Sequence, residues 1–118
     1  MKTLGMAVAV VASLAALQAQ EVYKPGNGVS LPTVVTQVQP QYTPEAMAQR
    51  VEGVVGLSVV VLSDGNVGDV TVTESLDKVL GLDQQAVKAM KQWTFKPGLK
   101  DGRPVAVSVD VRMKFTLQ

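Results

Sequence analysis

A chain of 118 residues suggests one domain, and 47% hydrophobic residues are enough for a small core. Eleven basic and ten acidic side chains give a net charge of +1, so no basic excess is present to neutralise phosphates, which argues against nucleic-acid binding. Cysteine and histidine are both absent. The chain therefore holds together by packing without disulfides, and Ser-His-Asp, Cys-His and imidazole-based metal chemistry are ruled out.

Lys2 precedes an apolar run from Leu4 to Leu17, with small residues from Ala15 to Ala19. This pattern reads as a signal peptide over residues 1–19. Its competitor is an uncleaved membrane anchor, but a spanning helix needs ~20 apolar residues. In both readings the rest of the chain faces the periplasm. Residues 20–41 form a Pro/Gly-rich linker, punctuated by Pro25, Gly26, Gly28, Pro32 and Pro40. Within it, Val34, Val35 and Val38 favour a short strand over 33–38, which the flanking prolines confine to an edge.

The folded domain is expected over 42–118. Thr43 can cap a helix with Pro44 at its first position and Glu45 at the positive end of its dipole. That helix is expected over 44–51, with Ala46, Met47 and Val51 inward and Gly53 ending it. Residues 54–62 (VVGLSVVVL) are apolar on both faces, as in a central strand. Asp64-Gly65 then signals a hairpin, returning as a strand over 67–74 with a bulge at Gly68. Asp64, Asn66 and Asp69 lack the spacing and terminal Glu of a calcium loop, so they read as turn chemistry and no metal is assigned. Leu82, Ala86, Ala89, Met90 and Trp93 recur at helical spacing over 82–93. Trp93 reads as a packing anchor.

Pro97-Gly98 ends that region, Asp101-Gly102 makes a turn, and Pro104 opens the longest alternation in the chain. Val105, Val107, Val109, Val111, Met113, Phe115 and Leu117 fall on one face. Ala106, Ser108, Asp110, Arg112, Lys114 and Thr116 fall on the other. The expected fold is α+β: a three-stranded antiparallel sheet of order 2-1-3 with two helices on one face. On this order the last strand is an edge with one unpaired row of N–H and C=O groups.

The ordered landmarks resemble the C-terminal domain of the TonB family of energy transducers. They run through Pro40-Gln41-Tyr42, Ala46, Glu52-Gly53-Val54-Val55, Asp64-Gly65-Asn66-Val67, Ser75-Leu76, Leu82-Asp83, Ala86 and Ala89. They end with Trp93-Thr94-Phe95-Lys96-Pro97-Gly98, Asp101-Gly102, Pro104-Val105 and Phe115-Thr116-Leu117. The resemblance implies a non-catalytic periplasmic module. It would bind an extended segment of an outer-membrane transporter, the TonB box, along the edge of its last strand. On this chain that edge is Val105, Val107, Val109, Asp110, Val111, Arg112, Met113, Lys114 and Phe115. Strand addition gains main-chain hydrogen bonds while alternate side chains set specificity.

Two alternatives use the same domain: an anchored energy transducer for transmembrane transport, and a homodimer that pairs its own edges. Family transducers carry a histidine in the anchor, an ExbB–ExbD motor partner and a long proline-rich spacer. Here histidine is absent, and a linker of about twenty residues reaches at most ~70 Å. An enzyme is the remaining class. Asp64, Asp69, Asp77, Asp101 and Asp110 fall mostly in predicted turns or on a solvated face, so no catalytic residue, cofactor or small-molecule substrate is assigned.

Overall fold

The structure, a computed structural model, describes residues 21–117, so the leader reading for residues 1–19 lies outside the described part. The strands are β1 (Val22–Tyr23), β2 (Thr33–Thr36), β3 (Gly53–Val61), β4 (Val67–Glu74), β5 (Thr94–Lys96), β6 (Gly98–Lys100) and β7 (Arg103–Phe115). Helix α1 (Pro44–Ala48) precedes β3, and α2 (Leu82–Met90) follows β4. Among the described residues, no helix is long and apolar enough to cross a membrane.

The long alternating runs build the main sheet. β3 lies between β4 and β7 and pairs antiparallel with both, so the order 2-1-3 is present as β4-β3-β7. The sheet is larger than three strands, however. β1 adds to β7 in parallel, and β6 pairs antiparallel with β7 through a tight hairpin. A separate two-stranded ribbon joins β2 to β5. The expectation of a purely antiparallel three-stranded sheet is corrected on these points. Pairing partners of two or three residues are too short to show an alternation.

β3 is buried because it is central. Val55, Leu57, Val59 and Val61 have no exposed surface. Each such side chain contributes about 1.5–3 kcal/mol by leaving water. Opposite them stand Ala46 of α1 and Leu82, Ala86, Ala89 and Met90 of α2, with Trp93, Phe95, Met113 and Phe115 closing the cluster. Trp93 is an anchor in a literal sense: its indole N–H donates to the Val38 carbonyl at 2.9 Å, tying the N-terminal segment to the end of α2.

Local chemistry sets the boundaries. Thr43 caps α1, accepting from the Ala46 N–H at 3.2 Å and donating its hydroxyl to the Leu80 carbonyl at 2.7 Å. The helix stops at Ala48, three residues before the expected Val51, and Arg50 turns left-handed at φ 56°. In so short a helix one inward position suffices. Ala46 takes it, while Met47 points outward and is 52% exposed, contrary to the expected stripe. Gly53 opens β3 and does not close the helix. α2 likewise ends at Met90, ahead of Trp93.

The Asp64-Gly65 hairpin forms as its sequence predicts. The Asp64 carboxylate accepts from the Asn66 backbone N–H at 2.9 Å and from the Asn66 side-chain amide at 3.1 Å. The register of β4 against β3 shifts between the Val59–Val70 and Val61–Val67 pairs, which places a bulge at Gly68-Asp69. A second shift falls between Gly56–Glu74 and Leu57–Val72, at Thr73.

Candidate functional site

β7 pairs with β3 along nine consecutive positions, from Val107 opposite Val61 to Phe115 opposite Gly53. The opposite side of β7 is different. β1 occupies it only at Ala106 and Val107. From Ser108 to Phe115, no strand among the described residues pairs with that side. An antiparallel strand directs the N–H and C=O of alternate residues to opposite sides, so every second residue here offers both groups outward.

The predicted edge residues divide by face and by position along the strand. Met113 and Phe115 are buried in the cluster under the helices, Val107 is buried beside Gly98 of β6, and Val105, Val109 and Val111 are half-buried. α2 packs over β3 and β4. Asp110, Arg112 and Lys114 are exposed on the outer face. Val105 and Val107 lie where β6 and β1 already pair, so the structure separates them from the free stretch. Val109 to Phe115 remain together along it.

Arg112 is not a free charge. Its guanidinium reaches across the sheet to the Glu74 carboxylate at 2.6 Å. Gly56 makes this crossing available, because it stands between them in register with both. A Cβ on Gly56 would come within 2.8 Å of the Glu74 Cβ. With both groups more than half exposed, the pair contributes about 0–1 kcal/mol and mainly orients Arg112. Sequence reasoning missed the pairing because it needs three strands in register.

The far end of the edge is fixed by Tyr42. Its ring meets Phe115 edge-on at 5.4 Å between centroids, and its hydroxyl donates to the Val51 carbonyl at 2.7 Å. Desolvation, with a smaller contribution from the Glu52 carboxylate, raises the Tyr42 pKa, so the hydroxyl stays a donor. Glu52 also accepts from the Leu117 backbone N–H at 2.9 Å, which ties Leu117 to the residue preceding β3.

The outer face beside the free stretch carries an open hollow of about 460 Å³, lined by Lys24, Pro25, Leu31, Ser58, Ser108, Val109 and Asp110. Among the described residues, no group of three or more Asp and Glu side chains is placed to hold a metal ion.

The domain is α+β, and among the described residues its longest strand is unpaired along one side from Ser108 to Phe115. The chain belongs to the TonB family: residues 38–117 match the model described as Gram-negative bacterial TonB protein C-terminal. It is similar to Protein TonB of Vibrio cholerae, 35% identical over 94 residues, covering 76% of this chain and 37% of that protein. Protein TonB of Escherichia coli K12 is 33% identical over 88 residues, covering 74% of this chain and 36% of the relative. The chain thus spans little more than a third of the length of these relatives. A solution NMR structure of the Pseudomonas aeruginosa TonB CTD superimposes with a TM-score of 0.61 at 26% identity, covering 79% of this chain and 90% of that one.

Proposed function

We propose that this chain is a periplasmic, non-catalytic interaction module that binds an extended segment of an outer-membrane transporter by adding it as a strand to β7. One observation carries the reading: among the described residues, nothing pairs with the side of β7 away from β3 from Ser108 to Phe115. Main-chain hydrogen bonds would supply affinity, and the half-buried Val109 and Val111 would accept apolar side chains at alternate positions of the incoming segment. Asp110 and Lys114 on the opposite face would favour a polar or charged alternate set. Family membership supports the class of partner. Force transduction by an anchored form is the alternative, and it turns on residues 1–20, outside the described part.

The test is a TonB-box peptide titrated against the full chain, alongside the same peptide N-methylated at alternate amides. One of the two methylation phases removes the donors that face β7. That phase is expected to weaken binding at least tenfold, and the other to change it little. Equal affinities for all three peptides would sink the strand-addition mechanism.

A further inference from the structure

The free edge of β7 begins where a strand of the same chain leaves off. β1 pairs in parallel, Val22 opposite Ala106 and Tyr23 opposite Val107, and then stops. Its sequence dictates the stop. Pro25 has no N–H to continue the ladder. Gly26, Asn27 and Gly28 follow with φ of 102°, 52° and 87°, a left-handed run that turns the chain back. The turn is closed by paired hydrogen bonds between Gly26 and Val29 at 2.9 and 3.1 Å.

Both arms of this turn are fastened. On the outgoing arm, the Lys100 ammonium sits 4.7 Å from the centre of the Tyr23 ring. On the returning arm, the Ser30 N–H donates to the Leu99 carbonyl at 2.9 Å, and the Leu99 N–H donates to the Ser30 hydroxyl at 2.9 Å. Val29 is buried. Residues 22–30 therefore form a stapled flap, its strand end abutting the open stretch.

We propose that β1 is a register stop for the partner strand. It confines an incoming segment to the eight positions from Ser108 to Phe115, end to end with β1, and excludes pairing beyond Val107. That stretch accommodates roughly 27 Å of extended chain. The partner this surface fits is an extended peptide of about eight residues with apolar side chains at every second position. Longer extended segments gain nothing by their extra length on the β1 side. The proposal rests on the strand-addition reading above.

The experiment uses two TonB-box peptides, one of eight residues and one extended by three residues at each end. Each is titrated against the full chain and against a variant carrying Val22→Pro and Tyr23→Ala. The substitutions remove a backbone donor of β1 and the ring beneath Lys100. In the parent chain the extension on the β1 side adds no affinity. In the variant that side opens, and the extended peptide is expected to bind about tenfold more tightly than to the parent, which is about 1.4 kcal/mol. The eight-residue peptide is expected to bind both proteins equally. Amide exchange at Ala106 and Val107 reports independently that β1 has opened, and the emission of buried Trp93 reports that the core is intact. An extended peptide that binds parent and opened variant alike overturns the register stop while leaving strand addition standing. Failure of the eight-residue peptide to bind either protein overturns both.

Discussion

Asp83 is the one buried charge among the described residues, 7% exposed at the start of α2. Its carboxylate accepts from the Ser75 hydroxyl and from the backbone N–H groups of Leu76 and Asp77 at 2.9 and 3.0 Å. Asp77 in turn accepts from the N–H groups of Val79, Leu80 and Leu82. Two carboxylates thus organise the whole connection from β4 to α2. Burial pushes the Asp83 pKa upward, but the Ser75 hydroxyl, the two N–H groups and nearby Lys78 outweigh it and hold the pKa below its ordinary value. The balance at Asp77 has the same sign: desolvation raises its pKa, and three backbone donors lower it further. A carboxylate with a depressed folded pKa binds fewer protons folded than unfolded, so its contribution is present above the unfolded value near 3.9. It is lost as pH falls through the folded value. Asp83→Ala leaves three donors without their acceptor and is expected to cost about 2–3 kcal/mol at pH 7. The gap between variant and parent should narrow below about pH 4. Urea unfolding followed by Trp93 fluorescence at pH 7 and pH 3 checks both. A gap independent of pH would remove the carboxylate from the account.

At the scale of elements, the β3–β4 hairpin does more than reverse the chain. Gly65, at φ 90°, donates its N–H to the Leu62 carbonyl, and its own carbonyl accepts from the Phe95 N–H at 2.8 Å. The turn is thereby docked on β5, and the main sheet is joined to the ribbon. A Cβ on Gly65 would lie 2.1 Å from the Phe95 carbonyl oxygen. Gly102, at φ 77° in the β6–β7 turn, has nothing within 4 Å of such a Cβ. Gly102→Ala should therefore cost only the left-handed backbone strain, about 1 kcal/mol. Gly65→Ala adds a clash with fixed backbone and should cost about 2–4 kcal/mol. Equal denaturation midpoints for the two variants would contradict the docking role. Local signals in the sequence are legible on their own. Asp64-Gly65 and Asp101-Gly102 announce their turns, and the alternations in β3, β4 and β7 announce faces, because these signals are local. Pro97-Gly98 reads only as the end of the helical region, yet Thr94–Lys96 and Gly98–Lys100 are strands on either side of Pro97, since β5 and β6 exist only by pairing with other segments of the chain. β1 was hidden for the same reason: two residues beside Pro25 carry no period. In the candidate site, the unpaired edge followed from strand order, whereas the Arg112–Glu74 pair and the limit set by β1 depend on register that no single stretch encodes.

For the molecule as a whole, the question is what becomes of the open side of β7. An exposed row of main-chain donors and acceptors invites pairing with any extended chain, including a second copy. An antiparallel pair of β7 strands centred on Val111 would set Asp110 against Arg112 of the other copy and Ser108 against Lys114, so charge does not forbid self-association in that register. Arg112 is already engaged by Glu74, and β1 would crowd the far end of the partner strand in the same arrangement. These features favour a monomer with its edge open. Native-state amide exchange distinguishes the two. β3 is paired on both sides and should exchange slowest. In the monomer, amides from Ser108 to Phe115 should alternate: those directed at β3 are protected, and their neighbours exchange at rates close to those of exposed chain. The Ala106–Val107 end should show less contrast because β1 covers it. In an edge-paired dimer, both sets are protected and sedimentation reports twice the monomer mass. An alternating pattern that becomes uniform protection on adding a TonB-box peptide, with no change in oligomeric state, is the outcome expected of an edge that accepts a partner strand. Uniform protection before any peptide is added would mean that the edge is already filled.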